Sequence, residues 1–179
     1  MTRVAAAGAA ALVLALTAVG VWLGFRGGSS TASARLGPTT SGAAGPVTPV
    51  GPISLDGPAL KARAGTLRQD VYWLGPESTQ RYELERTAAG EVFVRYIGSK
   101  TAVGTYPLTS AYAATQAQSH RDGWAQEHVE AWLVAYPTSS SATTVYLAAQ
   151  SFPYQIEVYD PVPGRARSLV ESGAVGPVR

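Results

Sequence analysis

The stretch Arg81-Tyr-Glu-Leu-Glu-Arg-Thr-Ala-Ala-Gly-Glu-Val-Phe-Val-Arg-Tyr-Ile97 decides the reading of the folded part. On either side of Ala88-Ala89-Gly90, polar and apolar residues alternate with the period of two that a half-buried strand requires. A short loop ending in glycine supplies the left-handed backbone that closes such a hairpin. With Thr87 and Glu91 as the closing pair, partner numbers sum to 178. Tyr82 then opposes Tyr96 and Leu84 opposes Val94 on an apolar face, while Glu83 opposes Arg95 on the reverse. Turn and pattern agree, and a slip of one residue would turn every apolar side chain to water.

Upstream, Val71-Tyr-Trp-Leu74, stopped by Gly75-Pro76, reads as a strand leading into the hairpin. Downstream, residues 129–136, 143–149 and 154–159 read as three further strands, the first two separated by a Pro/Ser/Thr loop. Thr109 or Ser110 caps an alanine-rich helix reaching about Ser119. Asp160 followed by Pro161 is the sequence form of a helix N-terminus, and Gly173 lies where the helix would stop. Ala166, Leu169 and Val170 of that helix would face the sheet. The expected fold is therefore α+β: a mainly antiparallel sheet of about six strands in the order βββα-βββα, with two helices.

The remainder of the chain differs in kind. Of 179 residues, the first 59 carry only Arg3, Arg26, Arg35 and Asp56, whereas Leu60 onward balances 11 basic against 11 acidic residues. The net charge of +2 belongs entirely to the front third. A neutral domain has no cationic excess to set against phosphates, which excludes nucleic-acid binding. Residues 4–25 hold no charge and, as a helix of about 33 Å, match a bilayer core of ~30 Å. Ala32-Ser33-Ala34 has the form of a signal-peptidase site, but cleaved leaders have apolar runs of only about 7–15 residues. Residues 1–26 are accordingly expected to form a retained transmembrane anchor. Residues 27–58 are almost all Gly, Pro, Ser, Thr and Ala, with proline every third residue from Pro46 to Pro52. Such a composition is expected to form a disordered linker. That leaves residues 59–179 as the globular domain. A stalk of this kind suits an extracytoplasmic face of the cell membrane, where the partner would be an envelope protein or a cell-wall polymer.

Candidate chemistry is sparse. Cysteine and asparagine are absent, which excludes disulfides, thiol nucleophiles and N-glycosylation. His120, Asp122 and His128 fall in one polar window, and imidazole with carboxylate is a ligand set for zinc. A metal-dependent hydrolase using these three is the enzymatic alternative, although their spacing fits no motif with a known mechanism. Gly98-Ser-Lys100-Thr101 lacks the leading glycine and the following helix of a phosphate-binding loop, so no nucleotide site is expected. No cofactor is implied. Strand alternation puts Phe93 and Tyr159 on the polar side of their strands, with Arg95 beside Phe93. These three are the expected members of a binding patch, since aromatic rings with polar tips suit protein and sugar surfaces.

The strings Val71-Tyr-Trp-Leu-Gly-Pro76, Tyr82-Glu-Leu-Glu-Arg-Thr87, Val92-Phe-Val-Arg-Tyr96 and Gln155-Ile-Glu-Val-Tyr-Asp-Pro161 resemble those of a group of uncharacterised, single-pass membrane-anchored proteins of high-GC bacteria. The resemblance covers roughly residues 60–178 and implies the plan of anchor, linker and compact domain. It brings no activity with it. The reading that follows is a non-enzymatic binding module of the cell envelope.

Overall fold

The computed structural model describes residues 47–179. Their elements follow in the order β1 (Val50–Leu55), α1 (Gly57–Gly65), β2 (Tyr72–Trp73), β3 (Tyr82–Arg86), β4 (Val92–Tyr96), β5 (Ala102–Pro107), α2 (Ala111–Ser119), β6 (Trp124–Val129), β7 (Trp132–Pro137), β8 (Thr144–Ala148), β9 (Tyr154–Tyr159), α3 (Arg165–Glu171) and β10 (Gly176–Pro177). Eight strands form one antiparallel sheet ordered β1-β3-β4-β5-β9-β8-β7-β6, and β2 pairs with β10 as a separate ribbon. Two four-stranded halves thus meet at β5 and β9.

The hairpin of β3 and β4 has the register read from the sequence, with Tyr82 opposite Tyr96, Leu84 opposite Val94 and Glu83 opposite Arg95. Gly90 carries φ +86 in its turn, and the Thr87 N–H reaches the Glu91 carbonyl at 2.9 Å. The larger expectation of six strands, two helices and βββα-βββα order is overturned, and each difference has a local cause.

The expected linker gives up its last residues to the fold. Val50–Leu55 lines the sheet edge, with a register shift between Val50 and Ile53 that accommodates Gly51-Pro52. Proline has no N–H to give a ladder, so an edge with a bulge is where it fits. Immediately afterwards Asp56 Oδ1 accepts the Ala59 N–H at 2.9 Å and Pro58 occupies the first turn, starting α1. A helix this short is marginal alone and depends on burying Leu60 and Ala64 against the sheet.

Val71–Leu74 does not join the main sheet. The segment crosses over one sheet face, where β10 pairs with it and side chains below supply further partners: Thr105 Oγ1 takes the Tyr72 N–H at 3.2 Å. The Tyr96 hydroxyl takes the Leu74 N–H at 2.7 Å and donates to the Gly75 carbonyl at 3.0 Å. Tyr82 Oη accepts the Glu77 N–H at 2.9 Å. Burial among these groups pushes the Tyr96 hydroxyl pKa upward.

Besides β1, the main-sheet strands absent from the expectation are β5 and β6. β5 carries Gly104 at its centre, which weakens a strand pattern; β6 is a polar edge strand, Trp-Ala-Gln-Glu-His-Val. β6 turns into β7 through Glu130 and Ala131, with Glu130 at φ +53 where an Asn-Gly signal would be usual.

α3 begins later than the Asp160-Pro161 signal suggests. Asp160 is fully buried and turned to other uses: it accepts the Thr101 hydroxyl and the Val162 N–H, each at 2.8 Å. Its C-terminal stop is as the glycine indicates. Gly173 has φ +71, its N–H bonds to Val170, and the Ala174 N–H bonds to Leu169, satisfying the terminal carbonyls.

The larger part of the core lies on one side of the sheet, with Ala111 of α2 and Leu133, Ala135 and Ala148 beneath it buried on the other. Leu60, Ala64 and Trp73 pack on Tyr82, Leu84, Val94 and Tyr96; Ala166 and Val170 pack on Val103, Val134, Leu147, Ile156 and Val158. Among the described residues, no helix is long and apolar enough to cross a membrane. The expected anchor, residues 1–26, lies outside them.

Candidate functional site

Among the described residues, the opposite sheet face is covered only toward one end. α2 packs on β6, β7, β8 and β9, where Gln155 Nε2 donates to Thr115 Oγ1 at 2.8 Å and Ser119 Oγ donates to Gln126 Oε1 at 2.6 Å. Beyond the helix, no helix or strand among the described residues packs above a strip of this face. Register fixes its composition. One row runs Glu85, Phe93, Gly104, Glu157, Tyr146 across five strands, and the next runs Glu83, Arg95, Ala102, Tyr159, Thr144. With strands about 4.8 Å apart, each row spans roughly 19 Å.

Phe93, Arg95 and Tyr159, the residues singled out in the sequence, lie on this strip and are half-buried. Arg95 turns toward β3, reaching Glu83 and Glu85 at 2.7 Å each, and its guanidinium lies 5.3 Å from the Phe93 ring centre. Tyr159 sits one strand beyond Ala102, in the same row as Arg95.

The centre of the strip is a group that pattern alone does not single out. Glu157 accepts hydrogen bonds from the Tyr106 and Tyr146 hydroxyls, one on each carboxylate oxygen. The Tyr106 ring folds back over Gly104, where a side chain would collide with it: a Cβ there would stand 2.8 Å from Cε2. Phe93 meets Tyr106 edge to face at 5.7 Å, and Trp124 lies against Tyr146 at 5.9 Å and 34°. A half-buried carboxyl therefore has aromatic pairs on both sides.

Burial raises the Glu157 pKa above the ordinary 4.5, since it opposes ionisation more than the two phenol hydrogen bonds favour it. Burial, then the neighbouring carboxylate, raises both phenols well above the usual tyrosine range, so both remain protonated donors. The arrangement can hold a polar or charged group against aromatic surface; nothing in it forms a nucleophile–base pair.

The histidine window is dispersed. His120 ends α2, Asp122 occupies the following turn, and His128 lies exposed in β6 opposite Leu133. Among the described residues, no three His, Asp or Glu side chains come together as a metal site. Gly98 to Thr101 form the turn between β4 and β5, where Lys100 takes φ +61 and its N–H bonds to the Tyr96 carbonyl at 2.9 Å.

No family model matches the chain, and no curated protein and no solved structure matches it.

Proposed function

We propose that the chain is a membrane-anchored, extracytoplasmic binding module that takes an envelope protein or a cell-wall polymer on the uncovered strip of its sheet. The observation that carries the reading is the strip itself: Phe93, Tyr106, Tyr146, Tyr159 and Trp124 lie along one face, with Arg95 and Glu157 between them. A side chain set with rigid rings and few rotors loses little entropy when a partner covers it. The charge-free residues 4–25 and the Pro/Gly/Ser/Thr stretch behind them support the anchoring part of the proposal.

Co-purification of the tagged full chain from its native membrane tests this. Phe93→Ala combined with Tyr159→Ala is expected to abolish capture of any partner. Arg63→Ala, on exposed α1 across the sheet, is expected to leave it unchanged. Equal capture by both variants would rule the strip out. Release of the protein from washed membranes would rule out the anchor.

A further inference from the structure

We infer that the Glu157 end of the strip binds an alkylammonium group, presented as a lysine side chain of a partner protein. The inference rests on the strip being the binding face. It adds the chemistry of what binds.

Three features of the geometry point to a cation. First, Glu157 is a half-buried carboxyl whose two oxygens accept from phenols, with no ion pair to it among the described residues. A desolvated acid gains most from an opposite charge brought to it. Second, the ring surface beside it is of the kind that attracts cations. Elsewhere the chain already uses such surfaces for its own: Arg95 lies over Phe93, and Arg167 over Tyr136 at 4.0 Å. Trp124 and Tyr146 form the corresponding pair next to Glu157, with the indole, the strongest cation-binding ring, at the outer end. Third, the two rows named above are acidic on balance. Glu83, Glu85 and Glu157 stand against Arg95, and Arg95 is committed to the first two. Arg121 is the competing cation at the rim: exposed, and close enough for its charge to favour ionisation of the Tyr146 hydroxyl.

A lysine fits this place better than an arginine. Its compact ammonium can donate to carboxylate lone pairs left free by the phenols while its methylene stem lies along Trp124. An amino sugar would carry a similar charge on a bulkier, more polar body, and it is the rival source for the same site.

The test is calorimetric titration of the full chain in maltoside detergent, which contains no ammonium of its own. The probe is a short lysine-containing peptide, run against its Nε-acetylated form and a glucosamine tetramer. Saturable binding of the lysine peptide is expected, with no heat from the acetylated one. Glu157→Gln and Trp124→Ala should each weaken it about tenfold, as expected for losing a charge-assisted bond or a ring. Arg121→Gln, which touches neither the carboxyl nor the rings, should tighten it at least about twofold by removing the competitor. Equal binding of the acetylated peptide, no change in Glu157→Gln, or weaker binding in Arg121→Gln would overturn the inference. Tighter binding of the glucosamine tetramer would overturn it in favour of a polymer. Partner capture lost with Phe93→Ala and Tyr159→Ala, alongside a lysine titration indifferent to Glu157, leaves the strip standing and removes the ammonium.

Discussion

Gly104 and Tyr106 share one side of β5, and the tyrosine ring lies over the glycine so closely that a Cβ would come within 3.1 Å of three of its atoms. The missing side chain is what lets the Tyr106 hydroxyl reach Glu157 on the neighbouring strand. Gly104→Ala is expected to cost about 1–3 kcal/mol, the usual range for overpacking. In Tyr106→Ala the same substitution should cost much less, because the clash is gone. Additive losses in a double-mutant cycle of thermal or urea unfolding would show that the two are not coupled.

The half-buried Glu157 sets a pH dependence of definite sign. Glu157 holds its proton more tightly folded than unfolded, so the folded chain binds more protons between the ordinary carboxyl value of 4.5 and the raised one. Stability from this group is complete below 4.5 and declines as pH rises through that window. Urea midpoints of the parent chain and Glu157→Gln, compared from acid to neutral pH, should therefore diverge, with the glutamine variant gaining relative stability as pH rises. Parallel curves would contradict the assignment.

Two contacts in the same hairpin should differ sharply in worth. Glu83 pairs with Arg95 while more than a third of its side chain remains in water, whereas Leu84, its neighbour, is fully buried. Glu83→Gln is expected to change stability by less than about 1 kcal/mol. Leu84→Ala should cost about 2–5 kcal/mol through lost burial and the cavity left behind. Chemical denaturation of the two variants decides whether packing or charge holds β3 to β4.

Asp160 joins the turn after β4 to the approach to α3. Its carboxylate accepts the Thr101 hydroxyl and the Val162 N–H, with Arg165 at 3.5 Å. Asp160→Ala leaves a fully buried hydroxyl without its acceptor and should cost roughly 1–3 kcal/mol. Asp160→Asn, which keeps one acceptor oxygen, should cost less. Amide exchange in α3 should quicken in the alanine variant.

At the tip of β6 and β7, Glu130 holds a backbone conformation that a side chain disfavours, φ +53. Glu130→Gly is expected to raise stability by about 0.5–1 kcal/mol, the relief of left-handed strain exceeding the added freedom of the unfolded chain. A lower melting temperature would mean that the glutamate side chain contributes more than the strain costs.

These particulars also mark what the residues alone disclosed. The β3–β4 hairpin was legible down to its register because alternation and a glycine turn coincide there. Alternation alone put Phe93, Arg95 and Tyr159 on the polar sides of their strands, and it takes the register across β5 to set them on one face. β5 and β6 were not legible, since a central glycine in one and an edge strand's polarity in the other erase the apolar period. Val71–Leu74 is the strand its residues suggest, but it pairs with β10 over the sheet rather than within it, a long-range partner that no local signal reveals. Glu157 was hidden for a different cause. A single acid among alternating residues looks solvated until register sets two tyrosines beside it.

The placement of Val50–Leu55 at the outer margin has a mechanical consequence. Any tension delivered through the residues ahead of Val50 enters at the first of its pairings with β3, beside the bulge, and loads the remaining ones in succession. Under a pull from that end the outermost strand would peel away while the seam between β5 and β9 stays shielded several strands inward, so the first event under strain would be the release of β1 rather than loss of the face that carries Phe93 and Tyr159.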